Sequence, residues 1–289
     1  MHVIIRAYHS AQVKLLKKFW AESQPDLLVS LIPNFNRALY QSFEGRAPMV
    51  TILTDLADYP PHFWIEPEQQ QYFICGTERA VEQAREFGHS PDHIFKTSGM
   101  ILRPKFYDPI TIDRAPELVK LGLRPDLKTG LVLFGGEGSS VMVEIAKKVR
   151  AGIQMIFVCG RNAKLASKLR GMQTQVPISV QGFTSEIPYF MHLSDFFVGK
   201  PGPGSISEAL QMKLPVLVER NAWTLPQERF NADWIREKHV GVVLKSFRDV
   251  NAGLDELLSP ANFDRFRANA ASIHNRAIFE IPDILGTLL

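Results

Sequence analysis

The stretch Asp195-Phe196-Phe197-Val198-Gly199-Lys200-Pro201-Gly202-Pro203-Gly204-Ser205-Ile206-Ser207-Glu208-Ala209-Leu210 is an apolar run that stops at a Gly/Pro turn and leads at once into a helical pattern. It predicts a buried strand, a tight turn and a helix. The first N–H groups of such a helix have no intrahelical acceptor and share the positive end of its dipole, so they converge on a spot suited to a phosphate. Gly202 and Gly204 let the backbone approach the anion, and Ser205 adds a hydroxyl donor in the first turn. Glu208, a carboxylate one turn further on, would be repelled by a phosphate and points to a second demand, such as the two hydroxyls of a ribose. A nucleoside diphosphate satisfies both. A capped strand-turn-helix corner with no ligand has the same local pattern, and this stretch alone leaves both readings open.

A second glycine turn shifts the balance. Leu131-Val132-Leu133-Phe134-Gly135-Gly136-Glu137-Gly138-Ser139-Ser140 again reads as a buried strand, a glycine turn and a helix, the last over Val141 to Val149. Two phosphate-type turns in one α/β domain point to one ligand with a diphosphate. A dinucleotide fingerprint fits poorly, because Gly136-Glu137-Gly138-Ser139-Ser140-Val141 lacks the third glycine or alanine. The next strand, Met155 to Arg161, also ends without the acidic residue that would hold an NAD ribose. No Gly-Lys-Ser/Thr follows either turn, which argues against a Walker loop.

Further from the turns, the chain alternates strand-like and helix-like runs, the signature of α/β architecture with parallel sheets. Strands are predicted at Asp26–Ile32, Met49–Thr54, Tyr72–Gly76, Ile94–Ser98, Gly130–Phe134, Gln154–Cys159, Ile178–Gln181, Asp195–Gly199 and Pro215–Val218. A proline-punctuated, charged stretch from Arg103 through Pro116 to Asp126 reads as a hinge. The expected organisation is a first domain over 1–108, a hinge over 109–127, a second domain over 128–259 and C-terminal helices over 260–289. The tail, Pro260 to Leu289, reads as two amphipathic helices: Phe263, Phe266 and Ala270 recur at helical spacing, and Ile278, Ile281 and Leu285 follow, with a break expected near Pro282. The first domain looks incomplete: Tyr8 to Ala21 reads as a helix where a doubly wound domain opens with a strand and glycine turn. Either Met1 is an internal start or the first βα units have been lost.

Composition bounds the remaining possibilities. The 289 residues, 45% of them hydrophobic, suffice for one large or two modest cores. Lys and Arg total 33 against 30 Asp and Glu, a net charge of +3, too balanced to argue for nucleic acid. Cys75 and Cys159 lie in apolar runs and read as buried, reduced thiols, and no metal site assembles from them. No apolar stretch is long enough for a membrane span, and the opening residues do not read as a signal peptide, so the expectation is a cytoplasmic protein. Helix Ala11 to Ala21 sets Lys14, Lys17 and Lys18 beside Leu15, Leu16, Phe19 and Trp20, a pattern that suits either an anionic membrane leaflet or a core face with a solvated rim.

Taken together, the motifs resemble the monogalactosyldiacylglycerol synthase family and its relatives, the processive diacylglycerol glucosyltransferases and the peptidoglycan lipid-linked N-acetylglucosaminyltransferase. The resemblance covers nearly the whole chain and implies a GT-B fold, two Rossmann-like domains facing a cleft, here with the first domain N-terminally truncated. It further implies an inverting hexosyltransferase that uses a UDP-sugar, needs no cofactor or metal, and acts on a lipid acceptor, diacylglycerol, at the inner face of a membrane. On this reading Gly135, Gly136, Gly138 and Ser139 form the first diphosphate loop, while Gly182 and Phe183 border the uracil. Lys200, Gly202, Pro203, Gly204 and Ser205 match the family's most specific segment, in which Glu208 would hold the ribose. Gln227 and Glu228 would meet the sugar hydroxyls with Asn231 supporting their turn, and Asn269 to Leu285 would be a closing helix crossing back to the first domain.

In the first domain Asp26-Leu27-Leu28-Val29-Ser30, Thr51 to Leu56 and His62-x-Trp64 also match. The family's N-terminal Gly-Gly-His loop, with its proposed catalytic histidine, has no counterpart, so Asp55 and His62 are the candidates for the general base, with His9 more simply structural. Asp55 could equally cap a turn and His62 could simply pack. Two other readings stay open: a UDP-sugar epimerase of the same architecture, and a non-catalytic nucleotide-sugar-binding remnant.

Overall fold

The computed structural model describes residues 2–58, 62, 64–67 and 69–289. It divides into two compact units: the chain up to Leu102 together with Asn275–Leu289, and Arg103–His274.

In the first unit, strands β1 (Leu28–Ser30), β2 (Met49–Ile52), β3 (Tyr72–Cys75) and β4 (Ile94–Lys96) form a parallel sheet in sequence order. Its helices are α1 (His2–Glu22), α2 (Asn36–Phe43), α3 (Glu78–Glu86) and the C-terminal Ala277–Gly286; α3 packs on one face of the sheet and the C-terminal helix on the other, which is why the strands read as unbroken apolar runs. Side chains alternate across the sheet. Phe73 and Cys75 pack with Leu53, Trp64, Ile65 and the α3 residues Ala80, Val81 and Ala84. The intervening Ile74 instead joins Val50, Ile52, Ala277 and Ile281. Thr77 caps α3, its Oγ1 accepting from the Ala80 N–H at 3.2 Å. The order β1-β2-β3-β4 contains no reversal, and among the described residues the unit opens with α1 before any strand.

Helix α1 starts before the expected Tyr8, which places His9 within the helix rather than at its start, where its Nε2 meets Gln41 Oε1 on α2 at 2.7 Å. Trp20 is buried with Leu28, Phe43 and Met49, whereas Tyr8, Leu15 and Phe19 are exposed. From Tyr8 onward the large apolar residues of α1 thus form two stripes: Leu16 and Trp20 meet the core, and Tyr8, Leu15 and Phe19 do not.

The second unit contains β5 (Lys128–Leu133), β6 (Ile153–Val158), β7 (Ile178–Gln181), β8 (Phe196–Gly199), β9 (Val216–Glu219) and β10 (Gly241–Leu244), all parallel, in the order β10-β9-β8-β5-β6-β7. This is the doubly wound order, two halves diverging from the adjacent pair β5 and β8. Its helices are α4 (Arg114–Lys120), α5 (Val141–Lys148), α6 (Ala163–Arg170), α7 (Ile187–His192), α8 (Pro203–Gln211), α9 (Arg229–Glu237), α10 (Val250–Leu258) and α11 (Pro260–Ser272). Two buried layers flank the sheet: Val132, Phe157, Val198 and Leu217 face one, and Leu131, Leu133, Ile156, Phe197, Val216 and Val218 the other.

Three expectations are corrected here. Strand β10, only four residues long after the polar Lys238 and His239, was not predicted, and it extends the sheet through its pairing with β9. The stretch 109–127 is no free hinge: Leu118 and Leu123 are buried in the core of the second unit together with Phe106, and Arg114 pairs with Asp195 at 2.5 Å. Its prolines open packed turns, Pro104 beginning a 3₁₀ turn and Pro116 sitting in the first turn of α4. Finally, the tail does form two helices, but they part well before Pro282, so Asn269 to Leu285 spans their junction and is not one closing helix. Helix α11 packs into the second unit through Phe266 and Ala270, the chain breaks at Ile273–Arg276, and α12 (Ala277–Gly286) holds Pro282 in its interior and packs in the first unit.

Candidate functional site

In a doubly wound sheet, ligands bind beyond the carboxyl ends of the strands where the order reverses. Here that point lies between β5 and β8, where Leu133 pairs with Gly199, so the turns beginning at Phe134 and Lys200 leave neighbouring strands at the same level. These are the two glycine turns marked by the sequence. Lys200 lies over both, since a Cβ added to Gly202 would come 3.4 Å from its Cε and one added to Gly135 would come 4.0 Å from it. Its Nζ donates to Glu228 Oε1 at 2.6 Å, and Glu228 is buried. Asn231, on α9, is fully buried and donates from Nδ2 to the Pro201 carbonyl at 2.8 Å. It therefore braces the turn after β8, whereas the turn it was expected to support is that of Gln227 and Glu228.

Beside these residues lies a cavity of about 380 Å³ whose lining includes Gly138, Ser139, Lys200, Glu219, Trp223 and Glu228. Gly202 is the N-cap of α8 and Pro203 its first residue, with no N–H to lose. The first-turn N–H groups of Gly204 and Ser205 have no intrahelical acceptor and remain free for an anion. The start of α5 is partly self-capped, Ser139 Oγ accepting from the Val141 N–H at 3.3 Å. The turn before it needs glycine at Gly135, where φ is +74°, and a further glycine holds it from outside. Gly160 has φ +59°, and any Cβ there would lie 2.0 Å from the Gly136 carbonyl oxygen, the same atom that accepts from the Arg161 N–H at 2.7 Å. Gly160 was not singled out in the sequence because its constraint comes from a loop 24 positions earlier in the chain.

Glu208 is mostly buried on α8, and Arg103 Nη2 donates to its Oε1 at 3.4 Å. Burial holds its carboxyl above the ordinary range, with Arg103 pulling the other way. Phe183, next to Gly182, is exposed, and the Arg161 guanidinium stacks over its ring with 4.9 Å to the centroid. Gln227 is half-buried in a 3₁₀ turn. Gly182, Phe183, Glu208 and Gln227 do not line the 380 Å³ cavity.

Asp55 and His62 belong to the first unit. Asp55 is buried and accepts from Trp64 Nε1 at 2.8 Å. His62 has φ +62°, packs edge-on against Phe87 with centroids 4.4 Å apart, and sets Nδ1 3.6 Å from Asp58 Oδ2. Pro60 and Pro61, the expected flanks of His62, lie outside the described residues. Asp58 organises this loop: it is buried and accepts from the N–H groups of Trp64 at 3.3 Å and Ile65 at 2.9 Å. In the sequence it looked like any loop aspartate, since these partners follow it by only four to seven positions with no helical or strand periodicity to relate them.

Both cysteines are free and buried, and burial pushes the Cys75 thiol up to about 12. Among the described residues no cluster of three or more His, Cys, Asp or Glu could hold a metal ion, and no helix is long and apolar enough to cross a membrane.

No family model matches the chain. Among curated proteins, the spinach (Spinacia oleracea) chloroplastic monogalactosyldiacylglycerol synthase is 28% identical over 285 residues, covering 92% of this chain and 53% of its own. The Arabidopsis thaliana monogalactosyldiacylglycerol synthase 2 is 28% identical over 258 residues, covering 84% of this chain and 53% of its own. The chain thus spans about half the length of the curated relatives it matches. Among solved structures, the S. aureus MnaA–UDP co-structure has a TM-score of 0.69 at 17% identity, covering 97% of this chain and 80% of that one. Anabaena Alr3699/HepE in complex with UDP-glucose has a TM-score of 0.60 at 15% identity, covering 99% and 82%. A Listeria monocytogenes protein provisionally described as a UDP-N-acetylglucosamine 2-epimerase has a TM-score of 0.61 at 17% identity, covering 98% and 79%. In sequence the chain is similar to the monogalactosyldiacylglycerol synthases, and in architecture it has the GT-B fold.

Proposed function

We propose that the chain transfers a hexose from a UDP-sugar to a lipid acceptor, diacylglycerol, with inversion at the anomeric carbon. The observation that carries this reading is the convergence of the two glycine turns, Lys200 and Glu228 at the switch point between β5 and β8. The acceptor hydroxyl oxygen forms its bond to the anomeric carbon as the bond from that carbon to the diphosphate breaks. The broken pair leaves with UDP, and a base takes the hydroxyl proton.

The charge developing on UDP is met by the free N–H groups at the start of α8 and by Lys200, preorganised donors of a kind worth about 3 kcal/mol of barrier each. With that charge met by the protein, transfer is expected to persist in a chelator. Glu208 is assigned to the ribose, Gly182 and Phe183 to the uracil, and Gln227 and Glu228 to the sugar hydroxyls. The base is assigned to the first unit, to His62 with Asp58 beside its Nδ1 or to Asp55. Support for a lipid surface comes from the relatives named for a diacylglycerol product and from the exposed stripe Tyr8, Leu15 and Phe19 among the lysines of α1. On this reading the protein works at the surface of a membrane.

The test is UDP release from a panel of UDP-sugars with and without diacylglycerol vesicles. Vesicle-dependent release supports the transferase. Conversion of a UDP-sugar to its epimer with no vesicle requirement would support the second reading, for which the Listeria likeness speaks. UDP binding with neither reaction would favour a binding remnant.

A further inference from the structure

We propose that Trp223 is the platform on which the transferred hexose lies, an inference that rests on the donor-site reading above. Trp223 is 92% exposed, whereas Trp20 and Trp64 are buried and Trp234 packs against the core of the second unit. An indole carries more apolar surface than almost any other side chain, and in water that surface contributes nothing to the fold. Its turn is nevertheless cross-linked by hydrogen bonds. The Trp223 N–H donates to Asn221 Oδ1 at 2.9 Å, the Asn221 N–H to Thr224 Oγ1 at 2.9 Å, and the Thr224 N–H to the Asn221 carbonyl at 3.2 Å. Asn221 Nδ2 is in turn anchored on Glu219 Oε1 at 2.5 Å, at the end of β9. A bulky apolar ring on a hydrogen-bonded turn, lining a cavity together with charged groups, is suited to a ligand with both an apolar and a polar face.

The cavity it lines identifies the part of the ligand. Trp223 and Leu225 supply apolar surface, while Lys200, Glu219 and Glu228 supply charge. A hexose has both matching surfaces, an apolar C–H face of the ring and a rim of hydroxyls that carboxylates can accept from. A nucleobase also stacks on an indole, but neither residue assigned to the base, Gly182 or Phe183, is part of this lining, whereas of the two assigned to the sugar hydroxyls Glu228 is and Gln227 is not.

The experiment measures tryptophan emission and calorimetric affinity with UDP, UDP-glucose and UDP-galactose, for the wild-type chain, Trp223→Phe and Trp223→Ala. The expected result is that a UDP-hexose changes the emission of the wild-type chain while UDP does not, and that the change is lost in both variants. Trp223→Ala is expected to weaken the UDP-hexose by up to about tenfold, with Trp223→Phe retaining most of the affinity. UDP affinity stays the same in all three, and so does Tm, because the side chain is exposed. An equal response to UDP alone would put the base on the indole and overturn the proposal. Unchanged UDP-hexose affinity in Trp223→Ala would overturn it too. Failure of the wild-type chain to bind UDP would instead refute the donor site itself, and the Trp223 assignment with it.

Discussion

At the scale of single residues, the candidate donor site concentrates charge that the fold alone does not need. Glu208 illustrates the cost. Its carboxyl is held above the usual 4.5 by burial, so the folded chain releases that proton less readily than the unfolded one. Its contribution to stability is therefore greatest below about pH 4.5 and declines as pH rises through its folded-state titration. Glu208→Gln is expected to melt at a higher temperature than wild type near neutral pH, with the gain shrinking in acid, and to bind UDP more weakly in calorimetry. Equal melting at both pH values would contradict the burial effect, and unchanged UDP affinity would refute the ribose assignment. Lys200 answers to Glu228 in a similar way. Removing it by Lys200→Ala leaves a buried carboxylate unpaired, at a cost of about 1–2 kcal/mol given that the lysine itself is nearly half exposed. Urea unfolding measures this, and Lys200→Ala combined with Glu228→Gln is expected to recover most of the loss.

At the scale of elements, the phosphate turns are built by their neighbours as much as by their own residues. The turn after β5 is pinned where the Gly136 carbonyl meets the turn after β6, and that approach leaves no room for a side chain at Gly160. Gly160→Ala combines a left-handed backbone with a 2.0 Å clash, and a loss of more than about 2 kcal/mol together with impaired UDP binding is expected. Denaturant unfolding and calorimetry on the variant would show it; wild-type values for both would mean that the turn rebuilds freely. Helix α1 offers a separate test. Leu16 and Trp20 face the core while Leu15 and Phe19 are exposed, so Leu15→Ser with Phe19→Ser is expected to leave Tm within a degree or two. The same pair should reduce co-sedimentation with anionic vesicles several-fold if this stripe rests on a membrane. Undiminished sedimentation would place the lipid contact elsewhere.

At the scale of the molecule, the C-terminal residues complete the first unit although they arrive last in sequence. Ala277 and Ile281 cover Val50, Ile52 and Ile74, and Asn275 Nδ2 donates to the Met100 carbonyl at 2.7 Å. Ile281→Asp places a charge in that layer and is expected to cost about 3 kcal/mol or more. Hydrogen exchange should then rise in β2 and β3 and stay unchanged in β5 and β8; uniform acceleration would mean that the units unfold as one. Much of this architecture was legible in the chain. Nine strands, the parallel α/β class and the two glycine turns followed from continuous apolar runs stopped by Gly and Pro, because burial on both sheet faces imposes the runs, and positive φ at Gly135 and Gly138 and a proline at the first position of α8 impose the stops. Strand β10 was hidden because four residues carry too little periodicity, and the supposed hinge misled because prolines that open packed turns look like linker punctuation. What only the tertiary structure decided was which distant groups meet: Arg103 with Glu208, Lys200 with Glu228, Asn231 with Pro201, Asp58 with its loop, and Trp223 at the rim of the cavity. Sequence patterning encodes which face of an element is buried, a property of neighbours three or two residues apart. The partner of a polar side chain depends instead on strand order, and that order emerges only when the sheet assembles.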